Sequence, residues 1–481
     1  MRKYYHFTQG QDSKDCLIVT SPNYISQIYL RGGNFSLDFI RPFLAMASLK
    51  SSRLWRYSSG FTKRFFMSMT RFDSVSIFPS PKKLLKSNYF MEHLIKVCLV
   101  LLLPFLFSGM VAACMIPQII LISYKKRLFD VVDKRKVHEG VIPRLGGVAF
   151  VPSIIISYAL MVGLAMLWGV GINATLSTTV HLMWGLCALL LLYIEGVTDD
   201  LVGVGYKVKF AVQFVCALLV VCSGVWLNNL YGLLGIWQIP WWIGQPLTML
   251  VLVFIINSIN LIDGIDGLAS GLSIVALFFL ACMFYADCLY VAAAICAAML
   301  GALVPFFYFN VFGNPQQHRK IFMGDAGSQV VGLVLGFAAV WFCMDSTQTD
   351  YPSAMRISSK PNALVLGFAL LMVPCLDVLR VMLGRVRRGC SPFMPDKSHI
   401  HHKFLALGMS HRTAMLTIIM IDACFAIINL GLASIVNINL LLLGNIVVWT
   451  LMQMWISRII MLRHKQKEAL EKEKEPFREA R

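Results

Sequence analysis

Residues 246–267, PLTMLVLVFIINSINLIDGIDG, join an apolar segment directly to a polar turn. The first 17 of these residues are mostly apolar, and a helix of that length can cross the hydrocarbon core of a bilayer. Asn257 and Asn260 share one face of this helix because they are three residues apart. Asp263 and Asp266 follow where the helix ends, beside two glycines that permit a sharp turn. Polar groups at the edge of a membrane span are costly and usually functional, so the stretch predicts a membrane helix that delivers amides and acids to one end. A plain Asx-rich turn between two spans is the alternative.

The rest of the chain repeats the apolar pattern. Of its 481 residues, 57% are hydrophobic and only 14% are charged, whereas soluble domains carry about 25% charged residues. The mean hydropathy is +0.68. This composition excludes an ordinary soluble enzyme, so we predict an all-α polytopic membrane protein with about eleven transmembrane helices. The predicted spans are 94–122, 146–168, 179–197, 209–227, 246–262, 267–284, 288–309, 328–345, 362–383, 413–434 and 438–460.

Three further polar clusters stand at the ends of predicted spans. They are VTDDLVG (197–203), FMGDAGS (322–328) and PDKSHIHH (395–402). The loops after the odd-numbered spans hold most of the lysines and arginines, whereas the loops after the even-numbered spans hold only Arg356 and Lys360. Cytoplasmic loops carry an excess of Lys and Arg. We therefore predict that all four clusters form an active site on the cytoplasmic face.

The net charge of +18 is distributed unevenly along the chain. Residues 1–90 contain 14 Lys or Arg and 4 Asp or Glu, which gives +10. The other basic residues lie in loops between spans, which argues against a nucleic-acid partner. Residues 1–90 have no spanning run and no signal peptide, so we predict a disordered or non-native extension, with Met91 as a candidate start and a regulatory domain as the alternative. Residues 91–462 form the predicted transmembrane domain, and 463–481 a charged cytoplasmic tail that is a short solvated helix.

The DD pair and the FMGDAGS segment supply three more acids. Asp199 and Asp200 are adjacent at a helix end, where their side chains point about 100° apart, so they need not share one task. One carboxylate can face a substrate while the other holds a lysine or a cation, and a simple helix cap is the alternative. Asp325 lies among small residues that let backbone N–H groups approach an anion, and its carboxylate suits a hard divalent ion. A helix N-cap explains Asp325 equally well.

The last cluster places His399, His401 and His402 among basic residues. Zinc is a weak explanation, because no soft ligand or further histidine lies at metal-binding spacing. Histidine and arginine donors that face phosphate oxygens agree better with the acids elsewhere, and Arg144 in the first loop is another such donor. Acids that recruit Mg²⁺ beside cationic donors are typical of phosphoryl transfer, and the P-loop pattern is absent from the sequence. A site at the edge of the bilayer favours one lipid substrate and one soluble phosphate ester.

The full set of motifs resembles the polyprenyl-phosphate N-acetylhexosamine-1-phosphate transferase superfamily. The motifs are KVHEGVIPRLGG (136–147), the DD pair followed by Lys207 and Lys209, NSINLIDGIDGLA (257–269), FFYFN (306–310), FMGDAGS (322–328) and HIHH (399–402). The resemblance covers about residues 94–460. Within the superfamily, PDKSHIHHKF (395–404) is similar to the undecaprenyl-phosphate GlcNAc-1-phosphate transferase branch, glycosyltransferase family 4.

The resemblance implies a reaction and its partners. Undecaprenyl phosphate attacks the sugar-proximal phosphorus of UDP-GlcNAc, or of another UDP-N-acetylhexosamine, and UMP leaves. The lipid product initiates a cell-envelope polysaccharide such as the O-antigen of lipopolysaccharide. The resemblance also implies Mg²⁺, with Mn²⁺ as a substitute, and a multi-pass protein of the bacterial inner membrane whose active site is cytoplasmic. A homodimer is compatible with it.

The resemblance further implies a role for each candidate residue. Asp325 matches the family's magnesium ligand, and Asp199 is the second predicted ligand. Asp199 also matches the acid that deprotonates or orients the lipid phosphate, with Asp200 beside it, and all three acids are the catalytic candidates. The substrate-binding candidates are Asn257, Asn260, Asp263, Asp266 and Asn310 around the nucleotide, and Lys209, Arg144, His399, His401 and His402 around the diphosphate or sugar. A phosphate monoester is mostly dianionic at pH 7, so we expect Asp199 to orient the acceptor in a single in-line displacement. A two-step route through an aspartyl-phosphate is the alternative.

Two other functions compete with this one. A phospho-N-acetylmuramoyl-pentapeptide transferase shares the carboxylates and differs in the histidine loop. A lipid or ion transporter is the alternative of another class, because Asp377 and Asp422 lie inside predicted spans. The polar clusters concentrate at one face, however, and no internal repeat accompanies them, unlike the midplane sites of transporters. We therefore expect Asp377 to serve the scaffold.

Overall fold

The computed structural model describes residues 16–21, 24–30, 33–35, 91–128, 142–172, 175–344, 363–391 and 398–479. The chain divides into two compact units, Met1–Lys86 and Ser87–Arg481. In the first unit, β1 (Cys16–Ser21), β2 (Tyr24–Leu30) and β3 (Gly33–Phe35) form an antiparallel sheet in that order. The aromatic and β-branched residues of β2 favour a strand, so the extension predicted to be disordered contains at least this sheet. The rest of residues 1–90 lies outside the described residues, and a start at Met91 stays a prediction.

The second unit is a helical bundle in which most helices are long enough to cross a membrane. They are α1 (Met91–Lys126), α2 (Gly146–Leu167), α3 (Leu176–Val202), α4 (Tyr206–Cys222), α5 (Trp241–Ile262), α6 (Leu268–Ala286), α7 (Tyr290–Phe312), α8 (Gly324–Cys343), α9 (Ala363–Ala369), α10 (Met372–Arg387), α11 (Ile400–Ala406), α12 (His411–Leu432) and α13 (Ile438–Glu479). Within the described part of the chain, nine helices are long and apolar enough to cross a bilayer, and the pair α9 and α10 passes as one span bent by 77°. The one remaining predicted span, 209–227, corresponds to α4, which has 17 residues. The fold class, an all-α polytopic membrane protein, is confirmed.

Two details of the fold differ from the prediction. First, α13 continues without a break from the membrane span through the charged tail to Glu479, so the tail is not a separate helix. Second, β4 (Asn229–Leu233) and β5 (Ile236–Gln238) pair as an antiparallel hairpin after α4, which ends before the predicted limit of residue 227. Leu234 and Gly235 between the strands have φ values of +53° and +79°, as a tight two-residue hairpin turn requires.

The central helix of the bundle is α8, which is buried from Ala326 to Cys343 and packs mainly against α3 and α5. A chain of polar side chains joins it to three neighbours. Gln329 of α8 donates a hydrogen bond to Glu195 of α3 at 2.9 Å and accepts one from Gln213 of α4 at 2.9 Å. Gln213 in turn accepts from Asn257 of α5 at 2.6 Å. Because hydrogen bonds between polar side chains help membrane helices associate, this chain holds four helices in one register.

Backbone hydrogen bonds join the start of α2 to the start of α8. The N–H of Gly146 donates to the carbonyl of Phe322 at 2.9 Å, and the N–H of Gly147 donates to that of Met323 at 2.9 Å. Gly147 also packs directly on the backbone of Gly327, where a Cβ atom would have no room. The PRLGG segment thereby attaches the first loop to one end of the central helix.

A reciprocal pair of amides fixes α12 against α13. Asn429 Nδ2 donates to Asn445 Oδ1 at 3.0 Å, and Asn445 Nδ2 donates to Asn429 Oδ1 at 2.7 Å. Both side chains are buried, so neither amide has water as a substitute partner.

The amide pair predicts a non-additive effect on stability. Asn429→Leu should lower the free energy of unfolding by about 1–2 kcal/mol, because it leaves the amide of Asn445 buried without its partner. The double variant Asn429→Leu/Asn445→Leu should lose less than the sum of the two single variants, since both polar groups are removed together. Thermal unfolding of the purified protein measures the difference, and simple additivity would contradict the pairing.

Candidate functional site

Three of the polar clusters meet at one end of the bundle. The ends of α3 and α5 and the start of α8 border a polar cavity of about 340 Å³. The cavity is lined by Arg144, Asp200, Asn260, Asp263, Gly264, Ile265, Asp266, Asn310, Phe322, Gly324, Asp325, Ser328 and His411. The fourth cluster, with its three histidines, lies beside the cavity, where His401 contacts the turn at Gly264. Side chains that are far apart in sequence therefore share one pocket at the edge of the membrane helices.

Asp200 caps the first turn of α8. Its Oδ1 accepts a hydrogen bond from the backbone N–H of Asp325 at 2.7 Å, and its Oδ2 accepts one from that of Ala326 at 2.9 Å. A helix start leaves such N–H groups without intrahelical partners, and a carboxylate there also suits the helix dipole. Gly324 has a φ of +73°, and a side chain at this position would collide with the Asp200 carboxylate. The N–H groups that the sequence offered to a substrate anion thus bind Asp200, whose task in this geometry is to position α8.

Lys209 joins the carboxylates of Asp199 and Asp325. Its Nζ lies 2.5 Å from Asp199 Oδ2 and 3.3 Å from Asp325 Oδ2. The other oxygen of Asp199 accepts from the backbone N–H of Val204 at 2.6 Å, and the side chain is only 6% exposed. Asp325 is more open, with 30% of its side chain exposed, and its Oδ1 accepts from Asn260 Nδ2 at 2.5 Å. The two adjacent acids of the DD pair therefore do separate work, since one caps a helix and the other holds a lysine.

The turn after α5 is held by one side chain from α7 and one from the loop before α8. Asn310 Oδ1 accepts from the backbone N–H of Gly267 at 2.6 Å, and its Nδ2 donates to the carbonyl of Ile321 at 2.8 Å. Lys320 Nζ pairs with Asp266 Oδ2 at 2.5 Å. Asn310 is buried. Asn310 and Asp266, both predicted to bind substrate, therefore shape the wall of the cavity through contacts within the protein.

Asp263 lies at the end of α5 and faces the cavity. Burial raises the pKa of its carboxyl to about 7, and the negative charges of Asp266 and Asp325 add to this effect, whereas Arg144 opposes it. The group is therefore close to half protonated at pH 7. A cation that binds nearby would favour the ionised form, because an opposite charge stabilises a carboxylate.

Asp377 of α10 organises the histidine cluster. Its Oδ2 lies 2.9 Å from His399 Nδ1, and its Oδ1 accepts from the backbone N–H of Ile400 at 3.0 Å. Arg380 Nη2 donates to Asp377 Oδ1 at 2.7 Å and to the carbonyl of Ser398 at 2.6 Å. Asp377 is fully buried, so these contacts satisfy its charge. Asp377 is therefore more than a scaffold residue, because it anchors the loop that carries the predicted site histidines.

His401 packs between His399 and the turn at Gly264. Its ring stacks on that of His399 with centroids 5.9 Å apart, and it lies 4.2 Å from the ring of His402. Any side chain at Gly264 would collide with the His401 imidazole. Burial lowers the pKa of His401 to about 3, and the charge of His402 acts in the same direction, so the ring is neutral at physiological pH. His401 therefore packs against the turn as a neutral ring, and its role in holding the diphosphate or the sugar stays a prediction.

The structure separates the predicted substrate-binding residues into two groups. The cavity wall contains Asn260, Asp263, Asp266, Asn310 and Arg144. Outside this wall, Asn257 belongs to the buried polar chain, Lys209 binds the two carboxylates, and His399 binds Asp377. His402 interacts within the histidine cluster.

Several residues that sequence reasoning missed also take part. His411 lines the cavity, Lys320 pairs with Asp266, and Ser328 Oγ accepts from Asn260 Nδ2 at 2.8 Å. Gln213 and Gln329 of the buried polar chain were also missed, although a polar residue inside an apolar span is a sequence signal that could have identified them. His411 stands at a helix start in a polar loop and carries no such signal.

Comparison with known proteins gives a consistent result. The family model described as Glycosyl transferase family 4 matches residues 182–343. The undecaprenyl-phosphate alpha-N-acetylglucosaminyl 1-phosphate transferase of Escherichia coli (strain K12) is 30% identical over 309 residues, which are 63% of this chain and 76% of the relative. The protein of the same name from Yersinia pestis is 29% identical over 312 residues, 64% of this chain and 77% of the relative. The decaprenyl-phosphate N-acetylglucosaminephosphotransferase of Mycolicibacterium smegmatis is 34% identical over 298 residues, 59% of this chain and 70% of the relative.

The different contacts of Asp200 and Asp325 predict different stabilities for their amide variants. Asp200→Asn should lower the free energy of unfolding by about 1–3 kcal/mol, because its single amide oxygen can accept only one of the two backbone N–H bonds and its NH₂ group faces the other N–H. Asp325→Asn should change it by less than about 1 kcal/mol, since the retained amide oxygen can still accept from Asn260 and Lys209 stays paired with Asp199. Thermal unfolding of both variants measures this, and equal losses would contradict the capping role of Asp200.

The raised pKa of Asp263 predicts a pH-dependent contribution to stability. Unfolding returns the carboxyl to its ordinary pKa near 4, so the folded state binds the extra proton between about pH 4 and pH 7. The contribution of Asp263 to the free energy of unfolding therefore falls as the pH rises through this window. Asp263→Asn should stabilise the protein, relative to the parent, by about 1–2 kcal/mol more at pH 8 than at pH 5.5, after allowance for solvent screening. Thermal unfolding at both pH values in the presence of a chelator is the measurement, and an identical shift at the two pH values would rule the effect out.

Proposed function

The chain belongs to glycosyl transferase family 4, and on this premise we propose that it transfers GlcNAc-1-phosphate from UDP-GlcNAc to undecaprenyl phosphate and releases UMP. One observation carries the proposal: Asp199 and Asp325, joined through Lys209, stand beside a polar cavity at the end of membrane helices. A soluble phosphate ester and the head group of a membrane lipid can meet at such a place. The names of the three relatives above support the sugar and the polyprenyl acceptor.

In the proposed reaction, an oxygen of the acceptor phosphate attacks the sugar-proximal phosphorus of UDP-GlcNAc. A new P–O bond forms as the bond from this phosphorus to the bridging oxygen breaks, and UMP leaves with the electron pair. The product is polyprenyl-diphosphate-GlcNAc. The acceptor is a phosphate monoester with a second pKa near 6, so at pH 7 it is already mostly dianionic and needs no strong base. Catalysis then depends on bringing the two anions together and on neutralising their charge.

The residues of the site suit this task. Lys209 places a positive charge beside the open carboxylate of Asp325, and Asp199 holds Lys209 in position. Both oxygens of Asp199 are engaged and its side chain is nearly buried, which supports an orienting role and a single displacement rather than a covalent intermediate on Asp199. Asn260 holds Asp325 from the opposite side. Arg144 lines the cavity and is a donor of the kind that binds phosphate oxygens.

Mg²⁺ is part of the proposal, with Asp325 as its main ligand. Among the residues that the structure describes, no group of three or more His, Cys, Asp or Glu side chains forms a closed metal cage. Mg²⁺ is usually bound by one or two carboxylates together with substrate phosphates, and the partly exposed Asp325 with Asp263 in the same cavity fits that pattern. When bound, the ion neutralises charge that develops on the diphosphate. Asp199, the second predicted ligand, is turned towards Lys209.

We also propose that the cavity opens on the cytoplasmic side of a bacterial inner membrane. The excess of Lys and Arg in the loops at this end supports that orientation. The relatives named above are bacterial. The lipid product would then enter the synthesis of a cell-envelope polysaccharide.

The proposal is tested by product formation with the purified full chain. With undecaprenyl phosphate and UDP-GlcNAc, it should release UMP and form polyprenyl-diphosphate-GlcNAc in the presence of Mg²⁺, and a chelator should stop the reaction. Asp325→Asn should lower turnover by at least about 100-fold, because a neutral amide cannot replace a carboxylate beside a divalent ion. Glu92→Gln makes the same carboxylate-to-amide change at an exposed position at the start of α1 and should keep the parental rate. Mass spectrometry of the lipid product and quantification of UMP are the measurements.

The donor distinguishes this proposal from the two alternatives. UDP-N-acetylmuramoyl-pentapeptide should give no product and should not compete with UDP-GlcNAc. Turnover of the pentapeptide donor would favour the muramoyl-pentapeptide transferase. No UMP from any UDP-N-acetylhexosamine would overturn the enzymatic function and return the transporter to consideration.

A further inference from the structure

A second cavity, of about 620 Å³, lies between α10 and α13, and we refer to it as the α10–α13 groove. Its walls are mostly apolar. Leu379 and Leu383 of α10 and Met454 and Met461 of α13 line it and are exposed on the outside of the bundle. In a membrane, such an apolar outer surface faces lipid chains. The described residues of the groove and those of the reaction cavity do not overlap.

The polar residues of the α10–α13 groove give it an excess of positive charge. Among the described residues, it is lined by four cationic side chains and no acid: Arg380, Arg387, Lys403 and Arg458. Arg387 and Arg458 are exposed, and neither forms an ion pair within the described part of the chain. Arg380 is compensated by Asp377, as described above. The groove thus offers positive charges at one place along an apolar wall.

The surroundings of Lys403 show the same excess of positive charge. Its Nζ donates to two neutral groups, Gln453 Oε1 at 2.8 Å and Ser457 Oγ at 3.0 Å. Burial lowers the pKa of Lys403 to about 8, and the positive charge of Arg380 acts in the same direction. An anion in the groove would relieve both effects, because it stabilises the charged ammonium group.

Buried hydrogen-bond donors in the wall form an independent observation. Arg380 Nε, Trp449 Nε1 and Gln453 Nε2 are buried and have no hydrogen-bond partner among the described residues. All three side chains line the groove, and those of Trp449 and Gln453 belong to residues that are only 4% exposed. Native proteins seldom leave buried donors unpaired, and all three of these groups require an acceptor. A ligand rich in acceptor oxygens would satisfy them.

We propose that the α10–α13 groove binds an anionic phospholipid of the surrounding bilayer, a lipid that is not the polyprenyl phosphate substrate. Its phosphate would lie among Arg387, Lys403 and Arg458, its ester oxygens would accept from the unpaired donors, and its acyl chains would follow the apolar wall. Basic pockets between membrane helices are the usual sites for anionic head groups, which supports this occupant.

The bound lipid would also influence the reaction cavity indirectly, through a series of side-chain contacts. Arg380 lines the groove and holds Asp377, which anchors His399. His401 stacks on His399 and packs against Gly264 at the edge of the cavity. Occupation of the groove therefore stabilises the histidine loop in the position that supports the turn.

The proposal is tested by thermal unfolding of the full chain in nanodiscs of defined composition. Replacement of about a third of neutral phosphatidylcholine by phosphatidylglycerol should raise the unfolding temperature by about 2–6 °C. The double variant Arg387→Gln/Arg458→Gln should lose most of this shift, and Arg387→Lys/Arg458→Lys should keep most of it. Lys125→Gln/Lys126→Gln removes the same charge from exposed positions at the end of α1 and should behave like the parent. This measurement does not require the proposed enzymatic function.

Two results would overturn the proposal. Equal shifts in the groove variant and in the Lys125→Gln/Lys126→Gln control would mean that anionic lipid acts only through general surface charge. A rise of several-fold in the KM for undecaprenyl phosphate in the groove variant, without loss of the phosphatidylglycerol shift, would assign the groove to the substrate lipid. An unchanged KM together with loss of the shift supports the proposal.

Discussion

The cap that Asp200 places on the first turn of α8 is the contact on which the rest of the site depends. Two backbone N–H groups at the start of α8 have no partner within the helix, and the Asp200 carboxylate from α3 accepts both hydrogen bonds. Because Asp200 satisfies the backbone, the side chain of Asp325 is left for Lys209, Asn260 and the cavity. The same helix also carries Gln329, which belongs to the buried chain of polar side chains that joins four helices. The cap at the start of α8 therefore affects the position of a helix that contacts three others.

The site combines groups that are already paired with groups that remain open to a ligand. Asp199 and Asp266 each hold a lysine, and His401 is a neutral packing residue. Asp263 and Asp325 keep carboxylate oxygens at the cavity. Burial and the nearby charges of Asp266 and Asp325 disfavour negative charge on Asp263. A cation that binds in such a cavity is stabilised by the carboxylates. When the cation enters together with a diphosphate, it also neutralises part of the negative charge of the diphosphate. This electrostatic demand is the physical link between the geometry and the proposed transfer reaction.

Much of the fold could be predicted because a membrane helix is recognised from the length and apolarity of a run of consecutive residues. All eleven predicted spans correspond to helices, and the bend between α9 and α10 lies inside one of them. The β4–β5 hairpin was missed because its signal is two residues with positive φ, which composition does not reveal. For the site, the polar clusters identified which segments meet. They did not show that Asn257 belongs to the scaffold or that Asp377 anchors the histidine loop, because both facts depend on partners from distant helices.

The sequence by itself determined that this is a polytopic helical membrane protein and that its acids, amides and histidines gather at the ends of spans. The length of an apolar segment and the cost of polar groups in lipid depend on consecutive residues, so both can be recognised without knowledge of tertiary contacts. Only the tertiary structure decided which carboxylate does what. Asp199 and Asp200 are adjacent in sequence and chemically identical, yet one meets Lys209 and the other meets the start of α8. The task of an ionisable side chain is set by the charges and hydrogen-bond donors that the fold places around it. The start of α8, which Asp200 caps, is 125 positions further along the chain, and the Asp325 carboxylate that Lys209 also contacts is 116 positions from Lys209.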